Sequence, residues 1–175
     1  MKKLIFYCLI CCAPLVSCTQ PQKTEPQNVT TFILVRHAEK ADDGTNDPGL
    51  TDEGTARANA LTQLLGSTKV DAIYSTPFKR TTETVEPLAK EKNLTIQNYS
   101  PMKGEEMDKM LSDNKGGTIV ISGHSNTTPW VANYFSGENK ISDFKDSDYD
   151  NILIVSIVEK GNAKVTWINY GKPTE

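Results

Sequence analysis

The chain has 175 residues, 37% of them hydrophobic, and a formal net charge of −3 at pH 7. This length accommodates one domain with a substantial core, and the acidic excess argues against nucleic acid as a partner. All four cysteines lie at or before position 18, so a domain that follows them is held together by its core without disulfides. Cys11 and Cys12 have no histidine or second cysteine pair at the spacing of a zinc site.

The first 17 residues have the layout of a secretory signal peptide. Lys2 and Lys3 precede an apolar stretch, residues 4–13, that is too short to span a bilayer as a permanent helix. The sequence Leu15-Val16-Ser17-Cys18 resembles the bacterial lipobox, in which the cysteine becomes the lipidated first residue of the mature protein. We therefore predict export and a membrane anchor at Cys18 in the cell envelope. The alternative is an ordinary signal peptide with a chance cysteine, which yields a soluble secreted protein.

The residues from Cys18 onward divide into a tether and a domain. Residues 19–28 contain two prolines and no aliphatic or aromatic side chain, which is typical of a flexible segment. We assign residues 18–28 to a lipid-anchored tether and residues 29–175 to a single domain.

The domain alternates between predicted strands and predicted helices. Runs rich in valine and isoleucine predict strands, and capping residues followed by apolar residues at helical spacing predict helices. Pro87 is expected to kink or split the second helix, and Thr127 or Thr128 is expected to cap the fourth. In chain order the predicted elements are a strand at 31–35, a helix at 51–65, a strand at 70–74, a helix ending near 93, a short strand at 94–99, a helix at 105–113, a strand at 118–122, a helix from about 128, and a hairpin formed by 152–158 and 164–169.

This alternation predicts an α/β fold, a three-layer sandwich with a mostly parallel central sheet, helices on both faces and a C-terminal antiparallel hairpin. Ligands of such sheets bind beyond the carboxyl ends of the parallel strands. Three strands end in chemically notable residues: Arg36-His37, residues 75–80, and Gly123-His124. We expect these three ends to converge on one edge of the sheet and to form a site there.

Arginine and histidine are rare in this chain, and they concentrate at these strand ends. The two histidines are His37 and His124, and two of the three arginines are Arg36 and Arg80. A guanidinium group binds the oxygens of a phosphate or carboxylate in pairs and stays charged. Two guanidinium groups and two imidazoles around one point suit a dianionic phosphoryl group.

Four motifs follow one another along the domain. They are Leu34-Val35-Arg36-His37-Ala38-Glu39-Lys40, Leu50-Thr51-Asp52-Glu53-Gly54, Ser75-Thr76-Pro77-Phe78-Lys79-Arg80-Thr81-Thr82-Glu83-Thr84 and Gly123-His124-Ser125-Asn126. They resemble those of the histidine phosphatase superfamily, which is also described as phosphoglycerate mutase-like, they occur in the family order, and each lies in a suitable strand or helix context. The domain lacks the long insertions of the glycolytic mutases, so the resemblance implies a phosphatase.

The resemblance also implies a role for each of four residues. His37 is the expected nucleophile, which takes the phosphoryl group on a ring nitrogen before water hydrolyses the phosphohistidine. Arg36, Arg80 and His124 are expected to bind the phosphoryl oxygens and to stabilise the charge that develops during transfer. No metal ion and no organic cofactor is implied. The structural alternatives are a hydrogen-bonded histidine at the strand end and an ordinary ion pair from Arg36 to an acid in the following loop.

The family usually supplies a carboxylate as general acid for the leaving group, from the segment between the arginine motif and the Gly-His motif. We favour Glu105 for this role, with Glu106 beside it and with Glu39 and Asp43 as competitors. Each of these is alternatively a solvated surface acid. Two other charges are predicted to lie on helix surfaces, Arg57 and Glu83.

The predicted function is therefore hydrolysis of phosphate monoesters through a phosphohistidine on His37, in an exported, membrane-anchored protein that acts on a small phosphorylated substrate. Export affects the choice of substrate, because the small bacterial phosphohistidine phosphatases and the mutases of this fold act on cytosolic targets. Small phosphate esters or polyphosphate-like compounds suit an exported enzyme better. The alternative is a catalytically weak module of the cell envelope that binds or senses phosphorylated ligands.

Overall fold

The computed structural model describes residues 28–174. The predicted signal peptide, the proposed anchor at Cys18 and the tether as far as Gln27 lie outside the described residues. Within the described part of the chain, no helix is both long enough and apolar enough to cross a membrane.

The described chain alternates strands with helices and ends in two consecutive strands, as the sequence predicts. Thr51 caps the first helix, because its Oγ1 accepts a hydrogen bond from the backbone N–H of Gly54 at 3.1 Å. The elements are β1 (Thr30–Arg36), α1 (Asp52–Leu64), β2 (Ala72–Ser75), α2 (Lys79–Lys92), β3 (Ile96–Asn98), α3 (Gly104–Asp113), β4 (Thr118–Gly123), α4 (Thr127–Ser136), β5 (Asn151–Glu159) and β6 (Asn162–Asn169).

The six strands of residues 28–174 form one sheet in the order β3-β2-β4-β1-β5-β6. Strands β3, β2, β4 and β1 run parallel, whereas β5 pairs antiparallel with both β1 and β6. The predicted α/β class, the mostly parallel sheet and the C-terminal antiparallel hairpin are therefore confirmed. The register aligns Arg36 with Gly123 and Ser75 with Ser122, so that β1, β2 and β4 end at the same edge.

Helices cover both faces of the sheet, each pair over its own hydrophobic core. On one face, Leu61 of α1 and Leu88 of α2 pack in the same cluster as Ile33 of β1. On the other face, α3 and α4 cover Phe32, whose ring stacks on Phe135 with 4.4 Å between the centroids. Successive residues of β1 point to opposite faces, and both sets are apolar because this strand is buried on both sides.

Helix α2 continues through Pro87, so the predicted split of this helix is wrong, and the alternative, a kink, stays a prediction. Proline lacks the N–H that would bond to the carbonyl one turn earlier, and this loss weakens a helix. Val85 precedes Pro87, Leu88 and Ala89 follow it, and all three are buried in the same core cluster. Tertiary packing of this apolar face therefore stabilises the helix on both sides of Pro87.

Candidate active site

The ends of β1, β2 and β4 bring the predicted site residues to one edge of the sheet. Backbone pairing continues past the strands, since the His37 N–H donates to Gly123 O at 2.9 Å and the Thr76 N–H donates to Ser122 O at 3.3 Å. The imidazole rings of His37 and His124 consequently lie 5.5 Å apart between their centroids. The expected convergence of the two histidines is thus present in the structure.

His37 is 4% exposed, and one hydrogen bond defines where its proton lies. Its Nδ1 is 2.8 Å from the carbonyl oxygen of Ala38. A carbonyl oxygen only accepts, so Nδ1 of a neutral ring carries the proton and Nε2 keeps its lone pair. The backbone N–H of Ala38 donates to Thr84 Oγ1 at 2.9 Å, which holds the turn that follows the imidazole. Nε2 is therefore the ring atom of His37 that is available for attack.

Both histidines are neutral at neutral pH. The pKa of His37 is lowered to about 3, first by burial and then by the nearby Arg36, His124 and Arg80, although the hydrogen bond to Ala38 opposes this shift. The pKa of His124 is lowered to about 4 by burial and then by Arg80 and Arg36. A lowered pKa means that the ring gains its second proton only in stronger acid. Both rings therefore stay neutral into mildly acidic solution.

Arg36 is 4% exposed, and the loop before β5 holds it. Its Nη1 donates to three backbone carbonyls, those of Lys145 at 2.8 Å, Asp146 at 3.1 Å and Asp148 at 3.0 Å. The Tyr149 ring lies against the guanidinium, with its centroid 4.2 Å from Cζ. The Nε of Arg36 is buried and has no hydrogen-bond partner among the described residues. The hydrogen bonds of Nη1 thus fix the guanidinium, and the buried Nε–H is left as a donor for an anionic ligand.

Arg80 is held by weaker contacts. Its Cζ lies 4.6 Å from the ring centroid of Phe78, and its Nη1 lies 3.7 Å from Oδ1 of Asp47. The same carboxylate oxygen accepts a hydrogen bond from the backbone N–H of Lys79 at 2.9 Å. At 3.7 Å the contact between Arg80 and Asp47 is an attraction between charges and not a hydrogen bond. The guanidinium therefore keeps donors for an incoming anion.

His124 is held from two sides. Its Nε2 lies 3.0 Å from Oγ1 of Thr76, and its backbone N–H donates to Oγ1 of Thr127 at 2.8 Å. The hydroxyl of Thr128 donates to a backbone carbonyl of β1 at 3.2 Å. The predicted cap is therefore wrong: the N-cap of α4 is Asn126, which makes no side-chain cap bond. The two threonine hydroxyls instead join the start of α4 to His124 and to β1, because the helix begins directly over these strand ends.

A cavity of about 500 Å³ opens beside Arg80. It is lined by the loop that follows β1, which includes Lys40, Asp42 and Asp43, and by Arg80 and Tyr149. A concave, largely polar space of this size suits a small hydrophilic molecule, and Arg80 and Tyr149 join it to the site.

Two parts of this site were not predicted. Thr76 stands inside a recognised motif, yet its contact with His124 joins residues 48 positions apart in the chain. Residues 145–149 belong to an acidic segment without any motif, and their bonds to Arg36 span 109 to 112 positions. No local pattern in the sequence marks either contact.

Glu39 and Arg57 form a buried ion pair at the back of the site. Nε and Nη2 of Arg57 donate to the Glu39 carboxylate at 2.7 to 3.0 Å, while its Nη1 and Nη2 donate to the carbonyls of Tyr170 and Lys172 at 2.9 and 2.8 Å. Burial raises the pKa of Glu39, but the hydrogen bonds and charge of Arg57 outweigh burial and lower it overall. The prediction that Arg57 is a surface charge is wrong, because the C-terminal segment covers it and leaves it 3% exposed. Glu39 is thus an ionised structural partner.

The other predicted carboxylates lie in different places. Glu105 is exposed in the first turn of α3, and no contact within residues 28–174 joins it to the two histidines or their neighbouring arginines. Glu106 accepts a hydrogen bond from a backbone N–H of the preceding loop at 2.7 Å. Asp43 is exposed and lines the cavity, whereas Glu83 is half-buried and accepts from the N–H of Leu50 at 2.8 Å. Within the described residues, no group of three or more acidic, histidine or cysteine side chains could hold a metal ion.

Comparison with known proteins finds one family whose model matches the part of the chain that contains Arg36, His37 and Arg80. Residues 32–102 match the profile of the histidine phosphatase superfamily, branch 1. The chain is similar to phosphoserine phosphatase 1 of Hydrogenobacter thermophilus, with 41% identity over 71 residues, which are 37% of this chain and 34% of that protein. The chain thus spans about a third of the length of the curated relative that it matches.

Solved structures share the fold at low sequence identity. The protein histidine phosphatase SixA in complex with tungstate superposes with a TM-score of 0.64 at 14% identity, covering 79% of this chain and 96% of that one. A mycobacterial glucosyl-3-phosphoglycerate phosphatase superposes with a TM-score of 0.66 at 11% identity, covering 82% of this chain and 100% of that one. At these identities the likeness establishes the fold of the domain.

Proposed function

We propose that this chain, a member of the histidine phosphatase superfamily over its residues 32–102, hydrolyses phosphate monoesters through a phosphohistidine on His37. The proposal rests on one observation, which is that the ring proton of His37 lies on Nδ1 while the neighbouring Arg36 has a donor that is unpaired within the described part of the chain. The proton on Nδ1 of His37 leaves a lone pair on Nε2, and Arg36 has a buried Nε without a partner among the described residues. A phosphoryl group supplies an electrophilic phosphorus for the lone pair of His37 and an oxygen that accepts from Nε of Arg36.

The reaction then has two displacement steps. In the first, Nε2 of His37 bonds to phosphorus as the P–O bond to the leaving group breaks, and the leaving oxygen takes a proton. In the second, water attacks phosphorus, the P–N bond breaks, and inorganic phosphate and neutral His37 result. Arg36, Arg80 and His124 bind the phosphoryl oxygens in both steps. The Ala38 carbonyl, which accepts from Nδ1, stabilises the positive charge that the ring gains on phosphorylation.

Turnover of a chromogenic ester tests this function. The full-length protein is expected to release p-nitrophenol from p-nitrophenyl phosphate between neutral and mildly acidic pH, because both histidines stay neutral over that range. Brief reaction with a radiolabelled ester should leave labelled protein that survives alkali and loses its label in acid, as a phosphohistidine does. Absence of turnover across this range contradicts the enzyme and favours the phosphate-binding module.

The substrate we propose is a small, polar phosphate monoester. The cavity beside Arg80 and Tyr149 has about 500 Å³ and polar walls, which leaves room for a hydrophilic leaving group. The relative from Hydrogenobacter thermophilus is a phosphoserine phosphatase, a name consistent with a small substrate. The predicted export also separates the active site from the phosphorylated proteins of the cytosol, so these proteins are poor candidates for its substrate.

The role of Glu105 as the general acid stays a prediction. Two substrates whose leaving groups differ in their need for a proton test this role. Glu105→Gln is expected to slow hydrolysis of an alkyl phosphate by about 10²-fold, because an alkoxide needs a proton as it leaves. The same substitution should barely affect p-nitrophenyl phosphate, whose phenolate leaves without protonation. Asp43→Asn is the matched variant, since Asp43 lines the cavity. If the selective loss occurs in Asp43→Asn and not in Glu105→Gln, the acid is Asp43.

We also propose that the mature protein is anchored in the membrane of the cell envelope through lipid on Cys18. The support is the run of residues 15–18 behind a signal-like segment and before a polar tether. Cys18→Ser is expected to move the protein from the membrane fraction to the soluble fraction and to abolish metabolic labelling with palmitate. Cys12→Ser, which alters the signal segment, should change neither result. An unchanged membrane fraction in Cys18→Ser contradicts the anchor.

A further inference from the structure

Phe78 occupies a position that neither helix capping nor core packing explains. It is the N-cap residue of α2, where serine, threonine, aspartate or asparagine is favoured, and it makes no side-chain cap bond. The acceptor for the first N–H of the helix, that of Lys79, comes instead from Asp47 in an earlier loop, at 2.9 Å. The Phe78 ring belongs to neither hydrophobic core and is 37% exposed. A large apolar side chain at this position therefore needs another explanation.

The Phe78 ring contacts two side chains of the candidate active site. Cζ of Arg80 lies 4.6 Å from the ring centroid, and the His124 ring lies 5.2 Å away between centroids, at an interplanar angle of 83°. The face of an aromatic ring attracts a cation, and edge-to-face contact between two rings is favourable. Phe78 thus contacts two of the three side chains that are proposed to bind the phosphoryl oxygens.

Arg80 has few other restraints. Within residues 28–174 its side chain makes no hydrogen bond, and its contact with Asp47 at 3.7 Å is an attraction between charges. Arg36 differs, because three backbone carbonyls bind its Nη1 in addition to the contact with the Tyr149 ring. An aromatic ring is therefore a secondary restraint on Arg36 but the principal restraint on Arg80.

We propose that Phe78 is a positioning residue, whose ring holds the guanidinium of Arg80 and supports the imidazole of His124 before a phosphoryl group binds. A long side chain that is ordered only by its ligand loses conformational entropy on binding, whereas a side chain that is held in advance loses less. Phe78 thereby increases the affinity of the site for phosphoryl oxygens. The inference rests on the proposed phosphatase function, which assigns Arg80 and His124 to the phosphoryl group.

Binding of inorganic phosphate and hydrolysis of p-nitrophenyl phosphate by the full-length protein test this role. Phe78→Leu keeps an apolar side chain but removes the ring, and it is expected to raise the Kd for phosphate and to lower kcat/KM, each by roughly fivefold. Phe78→Tyr keeps the ring and should restore both values to within about twofold of the wild type. Trp167→Leu is the matched control, because it removes an aromatic ring that is 51% exposed on the edge strand β6. It should change neither value.

The arginine side chains provide a second readout, which a purely structural role of Phe78 would not affect. The chain has three arginines, so that labelling arginine with ¹⁵N gives three Nε–H signals in an NMR spectrum. Phe78→Leu is expected to remove the ring-current shift of the Arg80 signal and to broaden this signal by exchange with water. The signal of Arg57, which is bound by a carboxylate and two carbonyls, should stay unchanged.

Failure of this inference is distinguishable from failure of the proposed function. The inference is overturned if Phe78→Leu binds phosphate as tightly as the wild type, if Phe78→Tyr is impaired as much as Phe78→Leu, or if the Arg80 signal is the same in Phe78→Leu and the wild type. A wild type that binds phosphate in this Phe78-dependent way but does not hydrolyse the ester overturns the hydrolase and leaves the positioning role intact. A wild type that neither binds phosphate nor hydrolyses the ester overturns both.

Discussion

The His37→Ala variant is expected to lose phosphatase turnover by on the order of 10⁴-fold or more, because it lacks the atom that accepts the phosphoryl group. The structure gives this imidazole a defined task, since its Nδ1 is 2.8 Å from the Ala38 carbonyl and its Nε2 keeps the lone pair. Hydrolysis of p-nitrophenyl phosphate measures the loss of turnover, and incorporation of radiolabel measures the loss of the phosphoenzyme. The variant should still bind inorganic phosphate, because Arg36, Arg80 and His124 remain.

His124→Ala is the matched control, since the chain contains no third histidine. It is expected to lower turnover by about 10²-fold, because it removes one group that stabilises transferred charge and leaves the nucleophile in place. Its phosphoenzyme should still form, on His37. Acid-labile label that persists in His37→Ala and disappears in His124→Ala would contradict the assignment and make His124 the nucleophile.

The second large effect concerns stability. Arg57→Leu is expected to destabilise the domain by about 3 kcal/mol, because it leaves the partly buried Glu39 carboxylate unpaired. It also removes the donors to the carbonyls of Tyr170 and Lys172, which tie the C-terminal segment to α1. Unfolding in urea, followed by far-ultraviolet circular dichroism, measures the change in the free energy of unfolding.

An exposed ion pair of α2 provides the control for this stability change. Nζ of Lys90 lies 3.0 Å from Oε1 of Glu86, but the two side chains are 75% and 47% exposed. Lys90→Ala should therefore change stability by less than about 0.5 kcal/mol. Adding Glu39→Leu to Arg57→Leu should recover part of the loss, because the unpaired carboxylate is then gone. A loss in Arg57→Leu no larger than that in Lys90→Ala contradicts the proposed role of the buried pair.

Together the two arginine clusters explain why this small domain can place charged groups in its interior. The Nη1 group of Arg36 is satisfied by three carbonyls of one loop, and Arg57 by one carboxylate and two carbonyls. A buried guanidinium is tolerated when its donors are hydrogen-bonded, and Nε of Arg36, which has no partner among the described residues, is the exception.

Local patterns in the sequence are sufficient to predict the strands, most of the helices and the edge of the sheet at which the two histidines meet. A strand buried on both faces leaves a continuous apolar run such as residues 32–35, and helices leave a periodic stripe, so both are recognisable within a few residues. Successive parallel strands place their carboxyl ends at one edge, which is why the sequence alone predicts that His37 and His124 lie close together. The split at Pro87 failed because a local preference was outweighed by packing against the sheet.

The contacts that hold the site residues, and the position of the ring proton on His37, depend on long-range packing. Residues 145–148 reach Arg36, the C-terminal segment covers Arg57, and Thr76 meets His124, across separations of 48 to 115 residues. These contacts arise when loops close over a finished sheet, and loops have no periodicity from which a partner could be inferred. The Ala38 carbonyl selects the tautomer of His37, and the Thr76 hydroxyl holds the ring of His124, so the chemistry of both histidines depends on backbone geometry and neighbours that the local sequence pattern does not specify.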